Sequence, residues 1–282
     1  MRRILFALAL VALLPVAGQP AAASVDRSAG WIVGCRFSHR SMDDPIVMPG
    51  MADMSHSHDF FGNETTDADS TLASLLSGPT TCSLGDDNAA YWAPTLYKNG
   101  EAITPDKAAI YYRTQVDGGV VQPFPAGLEL IAGDSHATGP QPIDIVYYNC
   151  HEGPDQHHDA GPYNCPGSTI DAHIRFPQCW DGVHLDSPDH KSHLTYATQE
   201  HGVRSCPAAY PVVLPRLIIR ISWPISDAEG ITLASGKPYT LHADFFNAWN
   251  PSTLNELVNG CINAGINCGK QIGSDISTRA VR

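Results

Sequence analysis

The chain has 282 residues and a formal charge of -12, because 29 Asp and Glu residues outnumber 17 Lys and Arg residues. A chain this acidic is not drawn by electrostatics to nucleic acid or anionic lipid, so we expect no nucleic-acid partner. The 22 Pro and 24 Gly residues favour many turns and few long helices.

The N-terminus has the organisation of a secretory signal peptide. Arg2 and Arg3 precede an apolar run over residues 4–14, and small residues end at Ala23. The run is shorter than the roughly 20 residues that a transmembrane helix needs. We therefore predict a signal peptide over residues 1–23, a mature chain starting near Ser24, a secreted location, and no stable membrane span after cleavage. The alternative is a retained membrane anchor.

Eight cysteines follow the predicted cleavage site, and an even number in an exported chain indicates disulfides. Proximity in sequence suggests four pairs, although eight cysteines allow 105 pairings. The suggested pairs are Cys35–Cys82, Cys150–Cys165, Cys179–Cys206 and Cys261–Cys268. A zinc site is the rival interpretation, but none of the cysteines shows the two-residue spacing of a zinc knuckle.

Short apolar, β-branched and aromatic runs recur between Pro, Gly and Asp residues, which is typical of strands. The predicted strands cover residues 31–37, 90–98, 109–114, 128–132, 143–149, 169–176, 217–223 and 239–246. Helices are predicted over residues 69–76 and 250–263, the second because Pro251 falls near a first helical position. The pattern predicts one mostly β domain over residues 24–282, a β-sandwich or jelly roll with a few short helices. Its core spans about residues 35–250, and the final helix with a disulfide-stapled tail spans about residues 251–282.

Two short segments pair histidine with histidine or aspartate at alternate positions. His56 and His58 would share one face of an extended segment, and so would His242 and Asp244. With His193, these residues could ligate a divalent metal, the only cofactor that the sequence suggests. The alternative is that each pair is a surface or packing feature.

A third segment, between Cys179 and His193, is unusually rich in groups that transfer protons. It contains Asp181, Asp186, Asp189 and His190, which we take as candidate catalytic residues because His titrates near neutrality and carboxylates can pair with it. The alternative is that Asp186-Ser-Pro-Asp189 is a turn in which the Asp side chains accept hydrogen bonds from backbone amides, with Asp189 as a cap for the segment that follows.

Aromatic residues flank these segments. Trp180 and Trp249 could stack on sugar rings, although both could equally belong to the core. The sequence has no nucleophile elbow, no H-E-x-x-H motif, no P-loop and no dinucleotide-binding glycine motif.

Several of these segments together resemble one family. They include Ser55-His-Ser-His58, Cys179-Trp-Asp-Gly182, Leu185-Asp-Ser-Pro-Asp-His190 with Ser192-His193, and His242-Ala-Asp-Phe245 with Trp249. The chain is similar to the DUF1996 family of secreted bacterial and fungal proteins. Fungal members often carry a further module associated with carbohydrate binding, and the resemblance therefore implies a cell-wall or polysaccharide context.

Three functional hypotheses follow. The leading one is a hydrolase or lyase acting on extracellular or cell-wall polysaccharide, with Asp186 or Asp189 as acid or base, His190 as proton shuttle, and His58 and His242 binding substrate. The second is a metal-binding protein or metallohydrolase. The third is a non-catalytic protein that binds envelope glycans.

Overall fold

The structure is a computed structural model that describes residues 26–152 and 157–269. The predicted signal peptide and Ser24 lie outside the described residues. Strands make up 37% and helices 9% of the structure, which confirms the prediction of a mostly β fold of the sandwich or barrel kind.

Eighteen strands occur in the described residues, and each is named here with its bounds. They are β1 (Gly30–Ser41), β2 (His58–Gly62), β3 (Ala90–Pro94), β4 (Leu96–Lys98), β5 (Glu101–Ala102), β6 (Lys107–Arg113), β7 (Glu129–Gly133), β8 (Val146–Cys150), β9 (Ile170–Arg175), β10 (Cys179–Trp180), β11 (Leu194–Thr195), β12 (Thr198–Glu200), β13 (Val203–Ser205), β14 (Val212–Val213), β15 (Arg216–Trp223), β16 (Ile231–Leu233), β17 (His242–Phe246) and β18 (Asn267–Gly269).

The main sheet has the strand order β7-β17-β3-β2-β1-β6-β15-β9-β8, and β18 pairs with β1. β1 is long enough to serve two half-sheets. Residues 30–36 pair with β6, whereas Phe37, Arg40 and Ser41 pair with β2, with a β-bulge between Phe37 and Arg40. A bulge bends a strand and increases its twist, so β1 can pass from one half-sheet into the other. We call β7, β17, β3 and β2 the first half-sheet and β6, β15, β9 and β8 the second.

The inner faces of both half-sheets share one hydrophobic core. Trp31 stacks on Tyr112 with ring centroids 4.6 Å apart, and the edge of Trp249 meets both rings. Alternate residues of β6 and β15, such as Ile110 and Ile219, point into this core. The alternation follows from the two-residue period of a strand.

The outer face of the first half-sheet is also covered. Phe60 of β2, Trp92 of β3 and Phe246 of β17 form a second, smaller apolar cluster there with Ile46 and Leu75. Ile46 comes from the loop over residues 42–57, and Leu75 comes from the first helix. Both faces of this half-sheet are therefore dry, which explains why all five residues of β2 are buried.

Two α-helices are present in the described part of the chain. The first, α1 (Leu72–Ser77), is shorter than predicted and begins at a capping box formed by Thr71 and Ser74. The second, α2 (Pro251–Leu257), is capped by the Asn250 side chain and continues into a π-helical turn to Asn263. A short 3-10 helix, Pro238–Thr240, precedes β17.

All eight cysteines are paired in disulfides: Cys35–Cys82, Cys150–Cys165, Cys179–Cys206 and Cys261–Cys268. These are the pairs that proximity in sequence suggests. Across the described ranges, no helix has the length and apolar character needed to cross a membrane.

Candidate metal centre

Strand register brings His58 and His242 to the same place on the outer face of the first half-sheet. His58 of β2 lies opposite Pro94 of β3. Asp244 of β17 lies opposite Trp92, so His242, two residues earlier, also reaches the level of Pro94. The two histidines therefore stand on either side of one β3 residue, although 184 positions separate them in sequence.

His56 completes a group of three rings. It lies at the end of the covering loop, just before β2, and its Nε2 is 3.2 Å from Nε2 of His242. One ring nitrogen from each of His56, His58 and His242 lies within 4.8 Å of the other two. We call these residues the histidine cluster. Three imidazoles at this separation can share one metal ion, for which a metal-to-nitrogen distance of about 2.0–2.1 Å is normal.

Backbone carbonyls fix the orientation of two of the rings. Nδ1 of His58 donates to the Asp43 carbonyl over 3.0 Å, and Nδ1 of His242 donates to the Thr240 carbonyl over 3.0 Å. The hydrogen on Nδ1 leaves Nε2 as the lone-pair atom in each ring. Nε2 of His58 is buried and makes no hydrogen bond to the described residues. Metal-bound histidines commonly show this arrangement, in which the second ring nitrogen donates to a carbonyl or carboxylate.

Burial keeps the cluster uncharged. Desolvation lowers the pKa of His242 to about 3, lowers that of His58 well below its usual range, and lowers that of His56 as well. Repulsion from the other two rings adds to this at His58, and repulsion from His56 adds to it at His242. In all three rings desolvation is the largest cause. They are therefore neutral at neutral pH, which is the form that binds metal.

Carboxyl groups lie near the cluster on the same face. Asp244 is two residues after His242 and points to the same side of β17; it is almost fully buried and its Oδ2 has no hydrogen-bond partner among the described residues. Burial raises the pKa of Asp244 well above its usual range, and the nearby charge of Asp44 adds to this. Asp44 itself accepts hydrogen bonds from the amides of Ile46 and Val47, which holds the covering loop in place.

Glu129 is a functional candidate that the sequence analysis missed. It lies at the start of β7, paired with Phe246, and therefore shares the outer face with His242 and Asp244. Burial raises the pKa of Glu129 to about 7, with smaller contributions from Asp186 and Asp44. A carboxyl group of this kind can take up or release a proton near neutral pH. The available signal was a charged residue at the edge of an otherwise apolar predicted strand.

The segment rich in His and Asp lies beside this face but uses most of its side chains to hold itself together. Nδ1 of His190 is 2.9 Å from Oδ2 of Asp186. His193 is buried, with Nδ1 2.9 Å from the Ser187 hydroxyl and Nε2 2.8 Å from the Glu129 carbonyl. Both ring nitrogens of His193 are thus occupied, and the residue ties the segment to β7.

Asp189 and Asp181 occupy turns. Oδ1 of Asp189 accepts from the Ser187 hydroxyl and from the amides of Lys191 and Ser192. These hydrogen bonds lower the pKa of Asp189 far below its usual range, so it stays ionised. Asp181 similarly accepts from two backbone amides in its own turn and contacts His184. The placement of Asp189 matches the alternative in which Asp186-Ser-Pro-Asp189 forms a turn, and Asp181 stabilises a separate turn.

The two candidate sugar-stacking residues are placed differently. Trp180 is half-buried on β10, and its Nε1 donates to the His184 carbonyl over 2.7 Å. Trp249 is 1% exposed and belongs to the core, where Nε1 donates to the Tyr112 hydroxyl. Trp249 is therefore unavailable to a ligand at the surface, because the packed ring has no open face.

An open cavity of about 620 Å³ adjoins the strand next to the cluster. It is lined by Gly133, Asp134 and Lys191, among others. Gly133 lies opposite His242 in the β17–β7 ladder, and Nζ of Lys191 donates to the Gly133 carbonyl over 2.8 Å. The cavity gives a ligand room to approach this part of the sheet.

Comparison with known proteins gives one match. No curated protein and no solved structure matches the chain. A family model described as a domain of unknown function, DUF1996, matches residues 44–249, which include the histidine cluster, Glu129 and the His- and Asp-rich segment. Because this match covers more than half of the 282 residues, the chain belongs to the DUF1996 family.

Proposed function

We propose that this is a secreted protein that binds a divalent transition metal through His56, His58 and His242. The observation that carries the proposal is the convergence of three neutral imidazoles, two of them oriented by backbone carbonyls. Nitrogen ligands of this kind suit zinc, copper or nickel better than calcium or magnesium. The four disulfides support export, because disulfides form and persist in oxidising compartments outside the cytoplasm.

Zinc titration of the exported, oxidised protein tests the proposal. We expect one zinc ion per chain by calorimetry, and a rise in melting temperature with zinc because binding stabilises only the folded state. His58→Ala and His242→Ala should each weaken binding by about 100-fold or more, since outer partners of metal ligands alone contribute 10–100-fold.

The matched control is His201→Asn. His201 is exposed in the β12–β13 turn at a positive φ, which asparagine tolerates. The zinc affinity of the His201→Asn variant should equal that of the unchanged protein. Should His58→Ala fold poorly, His58→Gln retains a polar side chain of similar reach. Absence of zinc, copper and nickel binding in folded protein, or equal affinity in the His58 and His201 variants, would reject the proposal.

A second candidate function is catalysis on polysaccharide, and the ionisation of Glu129 favours it. His56, His58 and His242 would hold the zinc ion, which would supply an activated water for hydrolysis. Glu129, with a pKa of about 7, supplies a group that can accept or donate a proton on the same face. The Asp186–His190 pair adds a second acid–base unit close by, as the leading sequence hypothesis requires. A hydrolase or lyase acting on cell-wall or extracellular polysaccharide is the enzyme class that we propose to test.

Product release from a panel of polysaccharides should be compared for zinc-loaded and chelated protein. Glu129→Gln should reduce turnover by about 10²–10⁴-fold, the usual contribution of an acid or base, while leaving zinc affinity within a few-fold. Glu101→Gln is the matched control, because Glu101 is exposed on β5. If Glu129→Gln turns over substrate at the normal rate, Glu129 has no role in proton transfer. Binding of glycan without cleavage, with and without zinc, would favour a non-catalytic glycan-binding function.

A further inference from the structure

The outer face of the second half-sheet differs in chemistry from the rest of this acidic protein. Its positions follow from the registers of β1, β6, β15, β9 and β8, in which every second residue points away from the core. Six of the 17 Lys and Arg residues of the chain fall on these outward positions. They are Arg36, Lys107, Arg113, Arg175, Arg216 and Arg220. Arg36 and Lys107 are exposed, Arg113, Arg175 and Arg220 are half-buried, and Arg216 is buried. We call this surface the cationic face.

Few carboxylates of the described residues face these cations. Asp171 is the one carboxylate at an outward position of these five strands, and it is fully buried. Its Oδ2 lies 2.8 Å from Nδ1 of His151 and 3.5 Å from Nε of Arg220. At the rim, the exposed Asp144 lies 3.7 Å from Arg175. Asp26 acts electrostatically on Arg113. Among the described residues, the six cations therefore outnumber these three carboxylates.

Aromatic rings contact three of the guanidinium groups. The guanidinium carbons of Arg113 and Arg220 both lie 5.7 Å from the centre of the Tyr111 ring. Arg175 lies 4.5 Å from the centre of the Tyr147 ring. Cation–π contacts of this kind fix the side chains and so reduce the entropy lost when a ligand binds.

We propose that the cationic face binds an acidic polysaccharide, one whose repeating units carry uronic acid carboxylates. Guanidinium groups bind carboxylates through two parallel hydrogen bonds, and lysine adds a mobile charge. Arg36 and Lys107, the two exposed cations, lie opposite each other on β1 and β6. Neighbouring strands lie about 4.8 Å apart, so two carboxylates of one polysaccharide chain can meet both cations. This inference does not depend on the histidine cluster, which lies on the other half-sheet.

Single-stranded nucleic acid fits the face less well. Its sequence-tolerant binding relies on open aromatic rings on which bases stack. Here the rings are already used: Tyr147 stacks on both His158 and His173, and Tyr111 contacts two arginines. What the face offers is charge and hydrogen-bond donors rather than stacking surfaces.

The experiment measures binding of metal-chelated protein to polygalacturonate, with a neutral glucan and single-stranded DNA as comparisons. We expect polygalacturonate to bind, the neutral glucan not to bind, and affinity to fall steeply with salt because exposed charges are screened. Arg36→Gln with Lys107→Gln should weaken binding by about tenfold or more, since hydrogen bonds to charged groups are among the stronger polar contacts. Both side chains are exposed, so the fold should tolerate the change.

Lys237→Gln provides the matched control for Lys107→Gln, because Lys237 is an exposed lysine outside the cationic face. It should leave the affinity unchanged. Three results would overturn the proposal: polygalacturonate fails to bind, the Lys237 and Lys107 variants lose affinity equally, or DNA binds more tightly than polygalacturonate. A melting temperature for each variant identifies any that is misfolded, and in that case Arg36→Glu and Lys107→Glu are tested singly. Since the protein is chelated throughout, failure here leaves the proposed metal centre intact, and failure of the metal centre leaves this test valid.

Discussion

Replacing Asp87 with asparagine should make the stability of the protein less sensitive to pH. Asp87 is fully buried beside the core aromatic rings, and its carboxyl oxygens accept hydrogen bonds from the Tyr91 hydroxyl and the Ala89 amide. The Tyr91 hydroxyl in turn contacts that of Tyr112, which accepts from Trp249. No cation is among these hydrogen-bonding partners, so burial dominates and raises the pKa of Asp87 to about 8.

The sign and size of the effect follow from linkage. In the unfolded chain the pKa of an aspartate is about 3.9, so above that pH the unfolded state loses the proton while the folded state keeps it. The contribution of Asp87 to stability is therefore complete below about pH 4 and is lost as the pH rises toward 8. The slope is about 1.4 kcal/mol per pH unit, which gives a loss of about 3 kcal/mol between pH 5 and pH 7.

Urea unfolding of the oxidised protein at pH 5, 6, 7 and 8 provides the measurement. The free energy of unfolding of Asp87→Asn minus that of the unchanged protein should increase by about 3 kcal/mol from pH 5 to pH 7. Taking the difference cancels the titration of the other buried groups, including the histidine cluster, because both proteins contain them. Asparagine is nearly isosteric and can still accept from Tyr91 and Ala89.

Asp86→Asn is the control. Asp86 is the exposed neighbour, and its Oδ2 accepts from the Thr253 hydroxyl. The free energy of unfolding of Asp86→Asn should differ little from that of the unchanged protein, and this difference should be almost constant over the same pH range. If the Asp87→Asn difference is equally flat, Asp87 is ionised in the folded state and the argument from burial is refuted.

Three further predictions concern the surroundings of the histidine cluster. Gly133→Ala should lower stability by about 2 kcal/mol and weaken zinc binding, because φ is +83° and the new Cβ would lie 2.5 Å from the Leu241 carbonyl oxygen and 2.8 Å from Cα of His242. Urea unfolding measures the stability and calorimetry the zinc affinity, and unchanged values of the two would contradict the prediction. Lys191→Met should strengthen zinc binding about threefold or more by removing a nearby positive charge, so unchanged or weaker binding would show that its ammonium does not act on the site. Asp189→Ala should cost about 1 kcal/mol through the lost turn hydrogen bonds, seen as a lower melting temperature at unchanged zinc affinity; a loss of zinc binding would instead place Asp189 in the site.

The strands that alternate between core and surface could be predicted from sequence. Residues 217–223 were predicted as a strand, and β15 covers Arg216–Trp223, because apolar side chains occupy every inward position. The helix predicted from residue 250 begins at Pro251 because Asn250 and Pro251 are local signals of a helix start. Such features depend on neighbouring residues, and neighbouring residues are what a single sequence displays.

β2 was missed for a physical reason. It is short, and the outer face of its half-sheet is covered by the loop over residues 42–57, so all five residues are buried and no alternation marks the strand. Its central position also decides the site. The sequence suggests that His58 and His242 cooperate. Only the pairing of β2 with β3 shows that the two side chains lie side by side, at the level of Pro94.

Individual roles were harder to predict than the presence of a site. Tryptophan is a residue type that can stack on sugar rings, and only the packing of Trp249 against Trp31 and Tyr112 shows that it belongs to the core. Glu129 has no motif, and its raised pKa comes from burial, with smaller contributions from Asp186 and Asp44, which are distant in sequence. Burial and charge proximity are properties of the folded chain, so residue type alone cannot supply them.

The path of β1 places the two proposed sites on separate surfaces. Its first seven residues pair with β6 and contribute Arg36 to the cationic face, whereas its last residues pair with β2, the strand that carries His58. The histidine cluster lies under a loop on a dry face, where burial keeps imidazoles neutral. On the cationic face, by contrast, Arg36 and Lys107 are exposed, which suits a long charged ligand. Since no residue belongs to both sites, Arg36→Gln with Lys107→Gln should leave zinc affinity unchanged, and His242→Ala should leave polygalacturonate binding unchanged. Coupling of more than a few-fold between the two measurements would mean that the bend in β1 transmits a structural change from one half-sheet to the other.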